Sequence, residues 1–267
     1  MPPGRTWLAS GLRPPSFAAE TGEVDADVQQ TEKMATRQIG VIVAHGQPSD
    51  PGPAEAEIAA LAARVAAALP DWSVRSATLA QEDALVRALD GADHAIVYPM
   101  FMADGWFTQT HLPARLAAAG GARITQVLPF GLDPAVQALT VTLALEAAAA
   151  AGRAPQDMEI LLAAHGSFRS PAPAAVARTM ALQLATRGGF RRVEAGFIDQ
   201  DPQIATVAKA FGDGALCLPF FAARGGHVID DLPEALAEAQ FTGRLLDPVG
   251  LDSRVPGLIA AAFRTAV

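Results

Sequence analysis

Apolar positions in this chain gather into short runs that alternate with longer stretches of Ala/Leu periodicity. The runs "RQIGVIVA", "SVRSATL", "HAIVYPMF" and "RITQVLP" come first, and "LLAA", "RVEAGFI", "GALCLPFF" and "RLLDP" come later. Nearly continuous apolar runs of this length predict strands covered on both faces. Helical spacing between them predicts βαβ units, hence parallel sheets with helices on both sides. Asp133 and Asp252 each precede a final helix, where an N-cap belongs.

The grammar is written twice. "VIVAHGQ" at 41–47 returns as "LLAAHGS" at 161–167, setting His45 against His165 at an offset of 120. "TLAQEDAL" returns as "FIDQDPQI", "YPMFMADG" as "LPFFAARG" and "PFGLDPAV" as "PVGLDSRV", at offsets of 119 or 120. Collinear matches at a nearly constant offset define two similar halves, 38–152 and 157–267. The expected fold is α/β: two tandem Rossmann- or flavodoxin-like halves, each a parallel sheet flanked by helices. Residues 1–37 are polar, aperiodic and without an export-type apolar region, so they read as a disordered or spurious leader, with Met34 a candidate start.

Composition narrows the partners. The 267 residues are 51% hydrophobic, enough for a sizeable core. A net charge of −8 argues against nucleic-acid binding. No apolar run approaches the ~18 residues of a membrane span; "LTVTLALEAAAAAG" is broken by Glu146 and reads as a buried helix. A single cysteine, Cys217, lies in the apolar "ALCLPFF", so no internal disulfide or cysteine-built zinc site is possible. The natural compartment is the reducing cytoplasm.

Several chemistries lack their residues. There is no G-x-G-x-x-G or Walker A loop, no G-x-S-x-G elbow, and no C-x-x-C or H-E-x-x-H pair. Histidines at strand ends remain. In open parallel sheets ligands bind beyond the carboxyl ends of the strands. His165 follows the first strand of the second half, and His227 lies in the loop after its third, so both face one crevice. Asp199, Asp201, Asp230 and Asp231 are nearby candidates in sequence. Neutral imidazole binds first-row divalent metals and accepts protons near neutral pH. A two-histidine set holds a metal loosely, which suits handing it on. A lone strand-end histidine is more often structural, and His94, which opens a strand, reads that way. His111 replaces the equivalent of Asp231, and helix-start duty is its plain alternative.

These residues carry a family likeness. "LLAAHGS" followed by "LPFFAARGGHVIDDLPEAL" resembles the paired motifs of sirohydrochlorin chelatases of the CbiX/SirB type. Pro219, Phe221, Gly225, His227, Asp231, Leu232 and Pro233 fill the second motif in order. The resemblance spans nearly everything after residue 37. It implies a chelatase fold and ATP-independent insertion of a divalent metal into sirohydrochlorin or a related tetrapyrrole, in cobalamin or sirohaem synthesis. Cobalt is favoured, with iron or nickel as siblings. The metal is a substrate, and no tightly bound cofactor is expected. His165 and His227 become the catalytic and metal-binding residues, and which one holds metal and which takes the proton is open. His45, Ser167, Arg224 and Asp231 are expected at the substrate. Cationic groups should meet its carboxylates, with Arg169, Arg191, Arg192 and Arg224 as candidates. The likeness implies a lyase with a tetrapyrrole as its partner. Two fused halves, able to do internally what a dimer of single halves would do, favour a monomer. The charge and hydropathy above argue against nucleic acid and membrane. In the first half, Phe107 stands where His227 does and Ala80 where Asp199 does. That half is expected to close the cleft and help hold the macrocycle. A non-catalytic metal or tetrapyrrole carrier is the alternative.

Overall fold

The computed structural model describes residues 37–267, so the leader expected over 1–37 falls, but for its last residue, outside the described part. The first half runs β1 (Gln38–Ala44), α1 (Pro51–Ala67), β2 (Trp72–Thr78), α2 (Ala84–Leu89), β3 (His94–Pro99), α3 (Leu112–Ala119), β4 (Arg123–Gln126) and α4 (Pro134–Ala150). The second runs β5 (Glu159–Ala164), α5 (Ala172–Gly188), β6 (Arg192–Phe197), α6 (Ile204–Ala208), β7 (Leu216–Pro219), α7 (Leu232–Glu238), β8 (Arg244–Leu245) and α8 (Val255–Thr265). Two four-stranded sheets result, ordered β2-β1-β3-β4 and β6-β5-β7-β8. Every pairing is parallel. Among the described residues no helix is long and apolar enough to cross a membrane.

The central strands β1, β3, β5 and β7 are buried along most of their length, because helices cover both sides of each sheet. On the outer faces, α2 and α3 pack on the first sheet through Leu85, Leu89, Leu112 and Leu116. Ile204, Val207, Leu232 and Leu236 do the same for the second sheet. Between the sheets lies one continuous core drawn from both halves.

That shared core holds an exchange that the repeat does not reveal. The last helix of each half packs on the other half. α4 lies against α5 and β7, while α8 lies against α1 and β3. Phe263 of α8 stacks on Trp72 at 5.7 Å and meets Tyr98 edge-on at 6.3 Å. A Cβ on Gly40 would come within 2.8 Å of its ring. The equivalent positions carry Ala144 on α4 and Ile160 on β5, both fully buried. The repeat thus puts a large residue on the helix and a small one on the strand in one case, and the reverse sizes at the two equivalent buried positions. Close packing requires such compensation. At the exposed end of the exchange, Arg254 forms a two-point ion pair with Glu146 at 2.7 and 2.8 Å.

Two expectations shift. The fourth strand of the second half shrinks to Arg244–Leu245, both exposed, at the edge of its sheet, while its counterpart β4 pairs over four residues. Asp133 caps α4, accepting the N–H of Ala135 at 2.9 Å. Asp252 instead accepts from Arg254 two residues on, and α8 begins after Arg254.

Candidate functional site

A sheet ordered 2-1-3-4 reverses direction between its two central strands, and the loops leaving those strands diverge to open a crevice. In the second half these strands are β5 and β7. His165 follows the last residue of β5, and His227 opens the helical segment after β7.

The glycine after each strand-end histidine has a definite job. Gly166 has φ +72°, and a Cβ there would lie 2.6 Å from Gln200 Cγ and 2.9 Å from Phe197 Cβ. Gly46 repeats this with φ +76° and Thr78 at 2.7 Å. Only glycine combines that backbone with so close an approach. The turn brings the Gly166 carbonyl to within 2.9 Å of Nδ1 of His165, and the Asp199 N–H to the His165 carbonyl at 2.8 Å.

His227 is placed by a single π-helical turn, His227–Asp231, in which the Leu232 N–H reaches the His227 carbonyl. The next turn is ordinary helix, started by Pro233. Such wide turns recur at functional sites. This one sets Asp231 Oδ2 at 2.5 Å from His227 Nδ1.

The two imidazoles meet. His165 Nε2 and His227 Nε2 are 2.9 Å apart, with rings edge to face at 4.3 Å. A carboxylate and a carbonyl can only accept, so both Nδ1 atoms are the donors and carry the protons. Both Nε2 atoms then present lone pairs to each other. A cation between them, either a proton or a metal ion, resolves that repulsion. Two imidazole nitrogens bound to one ion at about 2.1 Å in adjacent positions stand about 3 Å apart, close to this spacing. Both rings are half-exposed, with side chains 39% and 46% accessible. Asp199 Oδ2 stands 3.6 Å behind His165 Nδ1, so each ring has a carboxylate on its far side. Among the described residues no group of three or more His, Cys, Asp or Glu side chains is arranged to hold a metal. The pair therefore offers two nitrogens and leaves further coordination positions to water or to an incoming ligand.

The other predicted residues sort clearly. Asp231 touches the pair. Ser167 shapes the loop, its Oγ accepting from the Arg169 and Ser170 N–H groups and its own N–H donating to Gln200. Arg224 lies in the loop after β7, but its guanidinium pairs with Asp247 at 2.9 Å and its N–H with Glu57. It borders a separate open cavity of about 570 Å3, lined also by Glu146, Arg244 and Asp252, that excludes both histidines. Arg191 and Arg192 sit at the amino end of β6, at the opposite edge of the sheet, paired with Glu159 and Glu194. They are removed as candidates for the crevice. Burial pushes the Cys217 thiol up to about 12, so it stays a neutral core group. His94 bonds Thr125 across strands, a structural role.

His45 keeps the geometry of His165, with Nδ1 2.9 Å from the Gly46 carbonyl. Its partner is Phe107, edge-on at 4.7 Å, on a matching π turn that ends at His111. Sequence reasoning overlooked Gln200, which walls the Gly166 turn, and Trp106, which flanks Phe107. Trp106 aligns with Gly226 in the repeat, a signal available but not used.

Comparison with known proteins follows the same lines. The CbiX family model matches residues 40–147 and 159–266. A curated relative from Halobacterium salinarum, described as a probable sirohydrochlorin cobaltochelatase, is 27% identical over 227 residues, 74% of this chain and 76% of its own. The structure of CbiX, described as the terminal enzyme for biosynthesis of siroheme in denitrifying bacteria, aligns with a TM-score of 0.79. It is 47% identical and spans 86% of this chain and all of its own. SirB from Bacillus subtilis with Fe3+ shares the fold, with a TM-score of 0.69 at 18% identity over 87% of this chain and 96% of its own.

Proposed function

The chain belongs to the CbiX family of chelatases, and from that premise we propose that it inserts a divalent metal ion into sirohydrochlorin, without ATP, using His165 and His227. The observation that carries this is the convergence of two lone-pair-bearing Nε2 atoms at 2.9 Å on the ligand edge of the second sheet. The metal is a substrate. His165 and His227 hold it while its remaining positions exchange water for pyrrole nitrogens. Insertion frees two imidazoles and releases two pyrrole protons, so each imidazole takes one proton and the charge at the pair is +2 before and after. Asp231 and Asp199, behind the two rings, balance the imidazolium charges and fix the tautomers.

The cobalt preference implied by the family resemblance is supported by the 27% identical relative described as a probable cobaltochelatase. The relative with 47% identity works in siroheme synthesis, which points to ferrous iron, and iron is our first reading. Imidazole nitrogen accepts either. A carrier that binds without inserting is the second reading, motivated by Phe107, which removes one imidazole from the first half. An anaerobic absorbance assay with sirohydrochlorin and Fe2+, Co2+ or Ni2+ separates them. Insertion faster than the protein-free rate supports the enzyme, and the fastest metal names the pathway. Tight macrocycle binding with no rate above background sinks the enzyme reading.

A further inference from the structure

The first half keeps the backbone of the histidine site and fills it with aromatic rings. Trp106 is 61% exposed, large and apolar, in the loop that leaves β3 at the switch point of its sheet. It is held rather than free. Its indole stacks on the His111 imidazole at 4.8 Å and 21°, and meets the Phe107 ring edge-on at 5.0 Å. Phe107 in turn stacks on Phe101 at 6.1 Å. In the second half the residue equivalent to Trp106 is Gly226, where an added Cβ would find nothing nearer than Asp230 Oδ2 at 3.8 Å. One half leaves open space beside its imidazoles, and the other builds a braced wall.

Trp106 and the partly exposed Phe107 touch, and so form a contiguous aromatic surface at the ligand edge of a parallel sheet, of the kind a flat apolar ligand face would cover. We propose that Trp106, braced by His111 and Phe107, is a positioning residue that stacks on the flat face of the tetrapyrrole. The inference rests on the macrocycle being the substrate, as read above. Its chemistry fits: a conjugated ring with carboxylates at its periphery leaves its face for an electron-rich indole and its rim for polar groups.

The test uses the full chain and metal-free sirohydrochlorin, with binding followed by absorbance titration and turnover by the insertion assay. Trp106→Ala is expected to weaken macrocycle binding and raise its KM about fivefold or more, the worth of one aromatic stack, while kcat stays within about twofold. Trp106→Phe should recover most of the loss. The Co2+ affinity of the histidine pair and the thermal midpoint should not move, as they would if Trp106 were only structural. Unchanged macrocycle affinity in Trp106→Ala, with wild type inserting metal, overturns the platform and leaves the chelatase reading intact. Wild type that binds the macrocycle but inserts nothing ends the chelatase reading, and the platform is then decided by the two affinities alone. Wild type that does not bind the macrocycle overturns both.

Discussion

The two switch points of this molecule share a frame and differ in what stands on it. Each has a strand-end histidine turned back by a glycine at φ above +70°, its Nδ1 2.9 Å from the glycine carbonyl. Each has an N–H from the neighbouring strand's loop on the histidine carbonyl, from Ala80 in one and Asp199 in the other. Each has a five-residue π turn after its third strand. On this frame the second half sets a ring pair of two imidazoles at 4.3 Å, and the first an imidazole and a benzyl ring at 4.7 Å. The pair geometry survives the exchange of an imidazole for a benzyl ring. The backbone therefore dictates that two rings meet, and three side chains decide what they do: Phe107 for His227, His111 for Asp231, Ala80 for Asp199.

The largest effect expected is at His227. His227→Ala removes one of the two nitrogens and should cut the insertion rate by about 100-fold or more, toward the uncatalysed rate. A residual rate within tenfold of wild type would mean that the pair is not the reacting site. Next comes the helix exchange. Phe263→Ala empties the space above Gly40 and between Trp72 and Tyr98, and should cost about 3–5 kcal/mol in urea unfolding. The converse, Ala144→Phe, overfills the fully buried equivalent position on α4 and should cost about 1–3 kcal/mol. If both are silent, the size compensation between halves has no energetic meaning.

Smaller is the effect at Asp231. Asp231→Asn frees His227 to rotate and change tautomer, and should weaken Co2+ binding by roughly 10–100-fold, read by titration of the visible band. The smallest effect is a gain. Phe107→His with His111→Asp rebuilds the missing pair on a frame already present, and should add one weak Co2+ per chain. An unchanged stoichiometry would show that the first-half frame is less faithful than its hydrogen bonds suggest.

Much of this was legible from sequence, for identifiable reasons. The strands announced themselves because burial on both faces leaves an uninterrupted apolar signature, as in "VIVA" and "LLAA". His165, His227 and Asp231 were legible because a strand-end His-Gly and a histidine four residues before an aspartate are local patterns. Asp199 and Asp201 were not separable, since both follow the same strand. The tertiary structure chooses Asp199, whose N–H bonds the His165 carbonyl and whose carboxylate stands 3.6 Å from His165 Nδ1. Arg191 and Arg192 misled because composition ignores direction: they precede β6 and so belong to the edge away from the crevice. Arg224 leaves β7 at the correct edge, and its exposed pair with Asp247 is a tertiary contact that no local pattern announces. The helix exchange could not be read at all. α4 and α8 have the same place in the repeat, and nothing local in either says which sheet it will cover.

We propose that the second half carries the chemistry and the first half does not. Initial rates of anaerobic metal insertion into sirohydrochlorin, compared between His45→Ala and His165→Ala, decide it. These two residues have matching backbone, matching Nδ1 bonds and different ring partners. His45→Ala should retain at least about half the wild-type rate, while His165→Ala should fall to the rate without protein. Equal losses in the two variants, or a greater loss at His45, would contradict it.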